Sequence, residues 1–242
     1  MKWLLFIVFS MGVCYSQQAR LEIYPLTMGF YVFTTYGEFK DQLFPANGMY
    51  VVTNNGVVMI DTPWDTSQTR PLLDSIEKKH QLPVLMCIST HFHDDRTAGV
   101  NILRQKGIKT FCSMLTFENG KKAGEKLPEF LFYSDTTFQI GGIKFQTFYP
   151  GKGHTSDNIV VWFPDARVLY GGCFIKSRDA KGMGNLADAD INEWPHSIKK
   201  TIRKFKSPQY VIPGHEGWYD KKALQHTLRL IKAEIKILKK KD

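Results

Sequence analysis

Apolar positions alternate or cluster in short bursts over most of the chain, as strands require, and switch to helical spacing in a few longer segments. Strand-like residues run from Leu21 to Tyr36, then over Met49–Thr53 and Val57–Asp61, the last two joined by the hairpin signal Asn54-Asn55-Gly56. Thr66 as N-cap predicts a helix to about Lys79, with Pro71 in its first turns and Leu72, Leu73 and Ile76 inward. Val84–Thr90 is short, continuously apolar and bounded by polar residues, the pattern of a buried parallel strand. A helix over about Thr97–Lys106 and a strand at Lys109–Cys112 complete the order ββαβαβ.

The second half repeats the theme. Thr136–Ile140 and Ile143–Tyr149 flank Gly141-Gly142, and Ile159–Phe163 and Arg167–Tyr170 flank Pro164-Asp165, so two hairpins are predicted. Asp190 with Glu193 reads as a capping box opening a helix to about Lys206. Gln209–Ile212 is a strand, and Lys221–Lys239 a terminal amphipathic helix. Two such halves predict an α/β fold with two sheets packed face to face and helices outside, a four-layer α/β/β/α sandwich. The halves divide near Pro128 with no flexible linker, so residues 17–242 are expected to form a single domain.

The N-terminus departs from this pattern. Lys2 precedes the apolar run Trp3–Val13, too short to span a bilayer but suited to a secretory signal ending near Ser16–Gln17. Lipid attachment at Cys14 stays open, although Val13 is bulkier than lipoprotein signals prefer. No other segment approaches a membrane span, so an exported, periplasmic protein is expected. Of the 4 cysteines, Cys14 leaves with the signal. Cys87, Cys112 and Cys173 remain, an odd set that cannot all pair internally. Cys87 and Cys112 lie in apolar strands and read as small core hydrophobes. The net charge of +9 falls to +8 without Lys2, and much of it sits on helical segments where Lys alternates with Ile, Leu and Ala. A solvated helix face explains that better than a nucleic-acid surface, since no aromatic-interleaved basic patch accompanies it. A monomer is expected.

Candidate chemistry concentrates where strands end. His91-Phe92-His93-Asp94-Asp95-Arg96 follows the buried strand and, if extended, puts His91, His93 and Asp95 on one side of the backbone. His154 lies in the glycine-rich turn Gly151–Asn158, Cys173 follows Gly171-Gly172, and His215 lies in Pro213-Gly214-His215-Glu216-Gly217. The other histidines of the 7, His80, His196 and His226, fall on helices and read as surface or capping residues. Six ligand-type side chains exceed one tetrahedral zinc, so they partition into two sites of three. His91, His93 and His154 make a three-nitrogen site. Asp95, Cys173 and His215 make a softer one that favours zinc over magnesium or calcium.

With His154, Cys173 and His215 following later, His-x-His-x-Asp resembles the metallo-β-lactamases, specifically the three-histidine, two-zinc subclass of class B. Further matches are Asp61-Thr62-Pro63-Trp64, Gly153-His154-Thr155-x-Asp157-Asn158, Gly171-Gly172-Cys173-x-x-Lys176 and Gly184-Asn185-Leu186-Ala187-Asp188-Ala189-Asp190. They span nearly the whole mature chain. Glyoxalase II-like and RNase Z-like members of the wider family usually follow the motif's Asp with a His ligand and use a later bridging Asp. This chain has Arg96, which does not bind zinc, and Cys173 in those places.

The resemblance implies two Zn2+ ions and a metal-bridged hydroxide that attacks a β-lactam carbonyl of penicillins, cephalosporins and carbapenems. It makes Asp95 the orienting and proton-relaying group, Asn185 a second donor to the carbonyl oxygen, and Lys176 the partner of the substrate carboxylate. Tyr36–Phe44 reads either as a flap closing over substrate with Phe39, Leu43 and Phe44, or as a plain hairpin loop. Asp61 and Arg96 are expected to brace the site rather than touch substrate. The alternative is a two-zinc hydrolase of another ester or amide on the same fold.

Overall fold

The computed structural model describes residues 20–133 and 135–240, so the predicted leader 1–16 with Cys14 lies outside the described residues. One sheet runs in chain order β1 (Leu21–Thr27), β2 (Phe30–Phe39), β3 (Gln42–Thr53), β4 (Gly56–Ile60), β5 (Val84–Ile88), β6 (Lys109–Ser113) and β7 (Phe130–Phe132). It is antiparallel as far as β4 and parallel from β4 to β7. The second sheet has the order β12-β11-β10-β9-β8, from β8 (Thr137–Ile140), β9 (Ile143–Phe148), β10 (Val160–Phe163), β11 (Val168–Gly172) and β12 (Tyr210–Pro213).

Period-two alternation builds three apolar layers. Val58 and Ile60 of β4 join Met86 and Ile88 of β5 against Phe145, Val161, Val168 and Ile212 of the second sheet, forming the central core. Val57 and Met59 point the other way, onto Leu72, Leu73 and Ile76 of α1 (Thr69–His80) and Leu103 of α3 (Val100–Gln105). The outer face of the second sheet, with Val160, Leu169 and Val211, packs on α5 (Trp194–Lys204) and α6 (Ala223–Leu238). The architecture is therefore the four-layer α/β/β/α sandwich. Among the described residues, no helix is long and apolar enough to cross a membrane.

Several boundaries differ from the sequence reading. The run from Leu21 to Tyr36 is two strands, because Gly29 adopts φ +76° and reverses the chain between β1 and β2. The helix cap before α1 is Asp65, whose carboxylate accepts from Ser67 N–H at 2.8 Å and opens a 3₁₀ turn over Thr66–Gln68. Asp190 does accept from Glu193 N–H at 3.0 Å, yet α5 itself opens only at Trp194. The helix predicted over Thr97–Lys106 is two pieces, α2 (Asp94–Thr97) and α3. Two elements, α4 (Met114–Ala123) and β7, lie where neither was predicted.

Candidate metal centre

β5 ends at Ile88, and His91 and His93 sit in the bend that follows, so the extended geometry expected through Asp95 is not what forms. Asp95 instead lies in the helical turn α2, and its Oδ1 comes within 3.8 Å of His91 Nε2 as an i, i+4 pair. His154 stands in the loop between β9 and β10, Cys173 directly after β11, and His215 directly after β12. Two glycines permit this close meeting of loops. Gly172 takes φ +52°, and a Cβ there would meet Thr90 Oγ1 at 2.9 Å; a Cβ on Gly214 would meet the Cys173 backbone nitrogen at 2.5 Å.

The six side chains meet in one buried cluster. The rings of His91, His93 and His154 lie 4.8, 4.9 and 5.0 Å apart between centroids, each nearly perpendicular to the others, with His154 Nε2 3.2 Å from His93 Nδ1. Cys173 Sγ is 3.2 Å from Asp95 Oδ2 and 3.1 Å from His215 Nε2, and those two atoms are 3.1 Å from each other. Potential ligand atoms fall within 4.8 Å of one another in three overlapping trios, Asp95/Cys173/His215, His91/His93/Asp95 and His91/His154/Cys173. The cluster is thus continuous, with His91, Asp95 and Cys173 each shared between trios.

Its electrostatics suit a cation. His91 Nε2 and Asp95 Oδ1 are buried without a hydrogen-bond partner, a costly arrangement for groups that nothing else satisfies. Burial holds His91, His154 and His215 below the ordinary imidazole range, leaving neutral nitrogens with lone pairs to donate. Burial would raise Asp95, but Arg96 and His215 outweigh it and keep the carboxyl well below its usual range. Burial also pushes the Cys173 thiol up; a bound metal would reverse that by holding the thiolate. Imidazole, carboxylate and thiolate together are the donor set of zinc.

Arg96 underlies half of the cluster. Fully buried, it donates to Asp95 Oδ2 at 2.9 Å, Cys173 Sγ at 3.0 Å, and the carbonyls of Gly214 at 2.9 Å and Asn47 at 2.6 Å. Asp61, also buried, lies 3.5 Å from it and accepts from Thr90 N–H, Thr90 Oγ1 and Tyr170 OH. Burial still pushes Asp61 up to about 6. Neither residue lines the cleft above the cluster.

That cleft has a volume of about 550 Å³ and is lined by His93, Asp95, His154 and His215 together with Lys176 and Asn185. Lys176 anchors its backbone N–H on Thr227 Oγ1 at 2.8 Å and sets its ammonium 5.5 Å from the Trp194 ring. Asn185 is exposed further along the same β11–α5 connection, its Oδ1 accepting from Ala187 N–H at 3.1 Å. Tyr36–Phe44 is the end of the β2–β3 hairpin, turning at Lys40 and Asp41. Phe39 and Phe44 line the cleft, whereas Leu43 is exposed and does not.

Two contributors were missed in the sequence. Asp188 Oδ2 lies 2.9 Å from His93 Nε2 and fixes which ring nitrogen faces the cluster. Trp64 packs edge-on to His215 at 6.0 Å and walls the cleft. Both stand in stretches quoted for the resemblance, but nothing in spacing says which residue of such a stretch turns inward.

The sequence profile of the metallo-beta-lactamase superfamily matches residues 41–215, from the hairpin tip to His215. The chain belongs to the metallo-beta-lactamase superfamily. It is 41% identical over 236 residues to a metallo-beta-lactamase type 2 of Elizabethkingia meningoseptica, covering 96% of this chain and 94% of that one. A metallo-beta-lactamase type 2 of Bacillus sp. (strain 170) is 41% identical over 217 residues, covering 90% of this chain and 84% of its own. The solved metallo-beta-lactamase from Pontibacter korlensis superposes with a TM-score of 0.85 at 36% identity, over 88% of this chain and 99% of that one. Like these metallo-beta-lactamases, the chain is a hydrolase.

Proposed function

We propose that the protein hydrolyses the amide bond of β-lactam antibiotics with two zinc ions, one held by His91, His93 and His154 and the other by Asp95, Cys173 and His215. The observation that carries this is the cleft in which His93, Asp95, His154 and His215 face Lys176, with His91 and Cys173 completing the His/Asp/Cys cluster beneath them. The names of the relatives at about 40% identity support the substrate class.

When bound, zinc supplies Lewis acidity, which lowers the pKa of water towards about 7 and polarises a carbonyl. The chain's own groups do the rest. Lys176 pairs with the substrate carboxylate and sets the ring against the cluster. The Asn185 amide donates to the carbonyl oxygen as negative charge gathers there. Asp95, with Oδ2 held by Arg96, orients the attacking water and relays its proton. As the new C–O bond forms and the C–N bond breaks, that proton passes to the departing nitrogen. Phe39, Phe44 and Trp64 wall the cleft and exclude bulk water.

The same reading takes residues 17–242 as one catalytic domain, delivered to the periplasm as a monomer by the leader 1–16. Hydrolysis of a chromogenic cephalosporin, lost on chelation and restored by zinc, tests it. Turnover of simple esters or amides with no β-lactam turnover would instead favour a two-zinc hydrolase of another substrate.

A further inference from the structure

The positive charge of this molecule is gathered on one side. Residues 194–206 carry Lys199, Lys200, Arg203, Lys204 and Lys206 with no acid; residues 221–240 carry Lys221, Lys222, Arg229, Lys232, Lys236, Lys239 and Lys240 against Glu234 alone. Twelve cations and one acid make +11 where the whole chain has +9, so everything else sums to −2. Taken singly, each helix has an ordinary solvated face. In the fold, α5 and α6 pack side by side over the second sheet, so the exposed cations of both helices lie on the same outer layer of the sandwich.

Two further observations give this layer a chemistry. A hollow of about 300 Å³ opens on it, rimmed by exposed Arg167, Lys221 and Lys222 over a floor that includes Phe205 and Leu224. At the far end of α6, Ile237 and Leu238 are 48% and 37% exposed among Lys236, Lys239 and Lys240. Cations around apolar side chains match the boundary of an anionic bilayer, where phosphates meet the lysines and aliphatic groups enter the acyl edge. A nucleic-acid groove would instead offer aromatic platforms, and the exposed large apolar residues of these helices are aliphatic among the described residues. Neither helix lines the catalytic cleft, so docking by this face leaves the cleft open.

We propose that the α5–α6 face binds the surface of an anionic phospholipid membrane, holding the enzyme peripherally with its cleft free. The inference does not depend on which substrate the cleft takes. The test is co-sedimentation of the purified chain, lacking residues 1–16, with vesicles of phosphatidylcholine alone or mixed with phosphatidylglycerol, at low and high salt. Binding is expected only to the mixed vesicles and to fall steeply with salt. Neutralising Lys232, Lys236 and Lys239 together to Gln should lower partitioning roughly a hundredfold, at about fivefold per charge. Neutralising Lys106 and Lys109, exposed on the other half, should leave it unchanged. Thermal melting of both variants checks that they fold. Equal binding to neutral vesicles, equal loss from both variants, or tighter binding to duplex DNA than to the mixed vesicles would overturn the proposal.

Discussion

The two halves of the ligand cluster are built differently. His91, His93 and His154 stand on loop geometry and ring packing, with Asp188 2.9 Å from His93 at the solvent side and Asp95 3.8 Å from His91 on the inner side. Asp95, Cys173 and His215 are gathered around the buried guanidinium of Arg96, which reaches all three within 3.4 Å. A guanidinium stays charged, so it holds carboxylate and thiolate in place without competing for a metal. The mixed-ligand half therefore depends on a positive charge in the core, and the histidine half does not.

Removing that charge should have the largest effect. Arg96→Leu strands Asp95 and Asp61 in a buried site, and loss of one partner from a buried pair typically costs about 3–5 kcal/mol. Denaturant unfolding of the chelated protein should show it, and zinc analysis should show loss of about one ion while the histidine half keeps its own. Cys173→Ser should also lower zinc content and hydrolysis, with a smaller change in stability. Unchanged stoichiometry would remove Cys173 from the ligand set.

Asp188→Asn probes the other half. Groups that orient a ligand in this way are typically worth about 10–100-fold in metal affinity or activity, and competition with a chromogenic chelator would read it. Equal affinity in the variant would leave Asp188 a surface acid. Lys176→Ala should raise the Michaelis constant for carboxylate-bearing β-lactams about tenfold, the scale of one charge-assisted hydrogen bond, with folding intact. Equal kinetics would take Lys176 out of substrate binding.

The smallest effect concerns pH. Burial lowers the pKa of His91 and His154, so below the ordinary value of 6.5 the unfolded chain binds protons that the folded chain does not. Stability of the chelated protein should therefore be present above pH 6.5 and be lost as pH falls below it. The slope is at most about 1.4 kcal/mol per pH unit for each histidine. Melting temperatures that rise on acidification would contradict neutral, buried imidazoles.

Most of the architecture was legible because turn chemistry and strand alternation are local. Asn54-Asn55-Gly56 does close the β3–β4 hairpin, and Gly141-Gly142 turns with φ +51° and +86° between β8 and β9. What was hidden depends on packing. Helix α4 contains Asn119 and Gly120, poor helix formers, and Gly120 is tolerated because Leu127 and Phe92 pack against it. Its start was signalled by Ser113, whose hydroxyl accepts from Thr116 N–H at 3.0 Å. The six clustered residues were found by their chemistry and their glycine-rich settings. Asp95 reached its place by a helical turn rather than the extended chain expected, because α2 begins directly after His93. Asp188 and Trp64 carried no such mark, since an acid and a tryptophan in loops have many uses.

Zinc content measured alongside hydrolysis of a chromogenic cephalosporin tests the account most directly, in the intact protein and in Cys173→Ser. About two ions per chain are expected with hydrolysis abolished by chelation, and about one ion with much weaker turnover in the variant. Hydrolysis that survives complete removal of metal would contradict it.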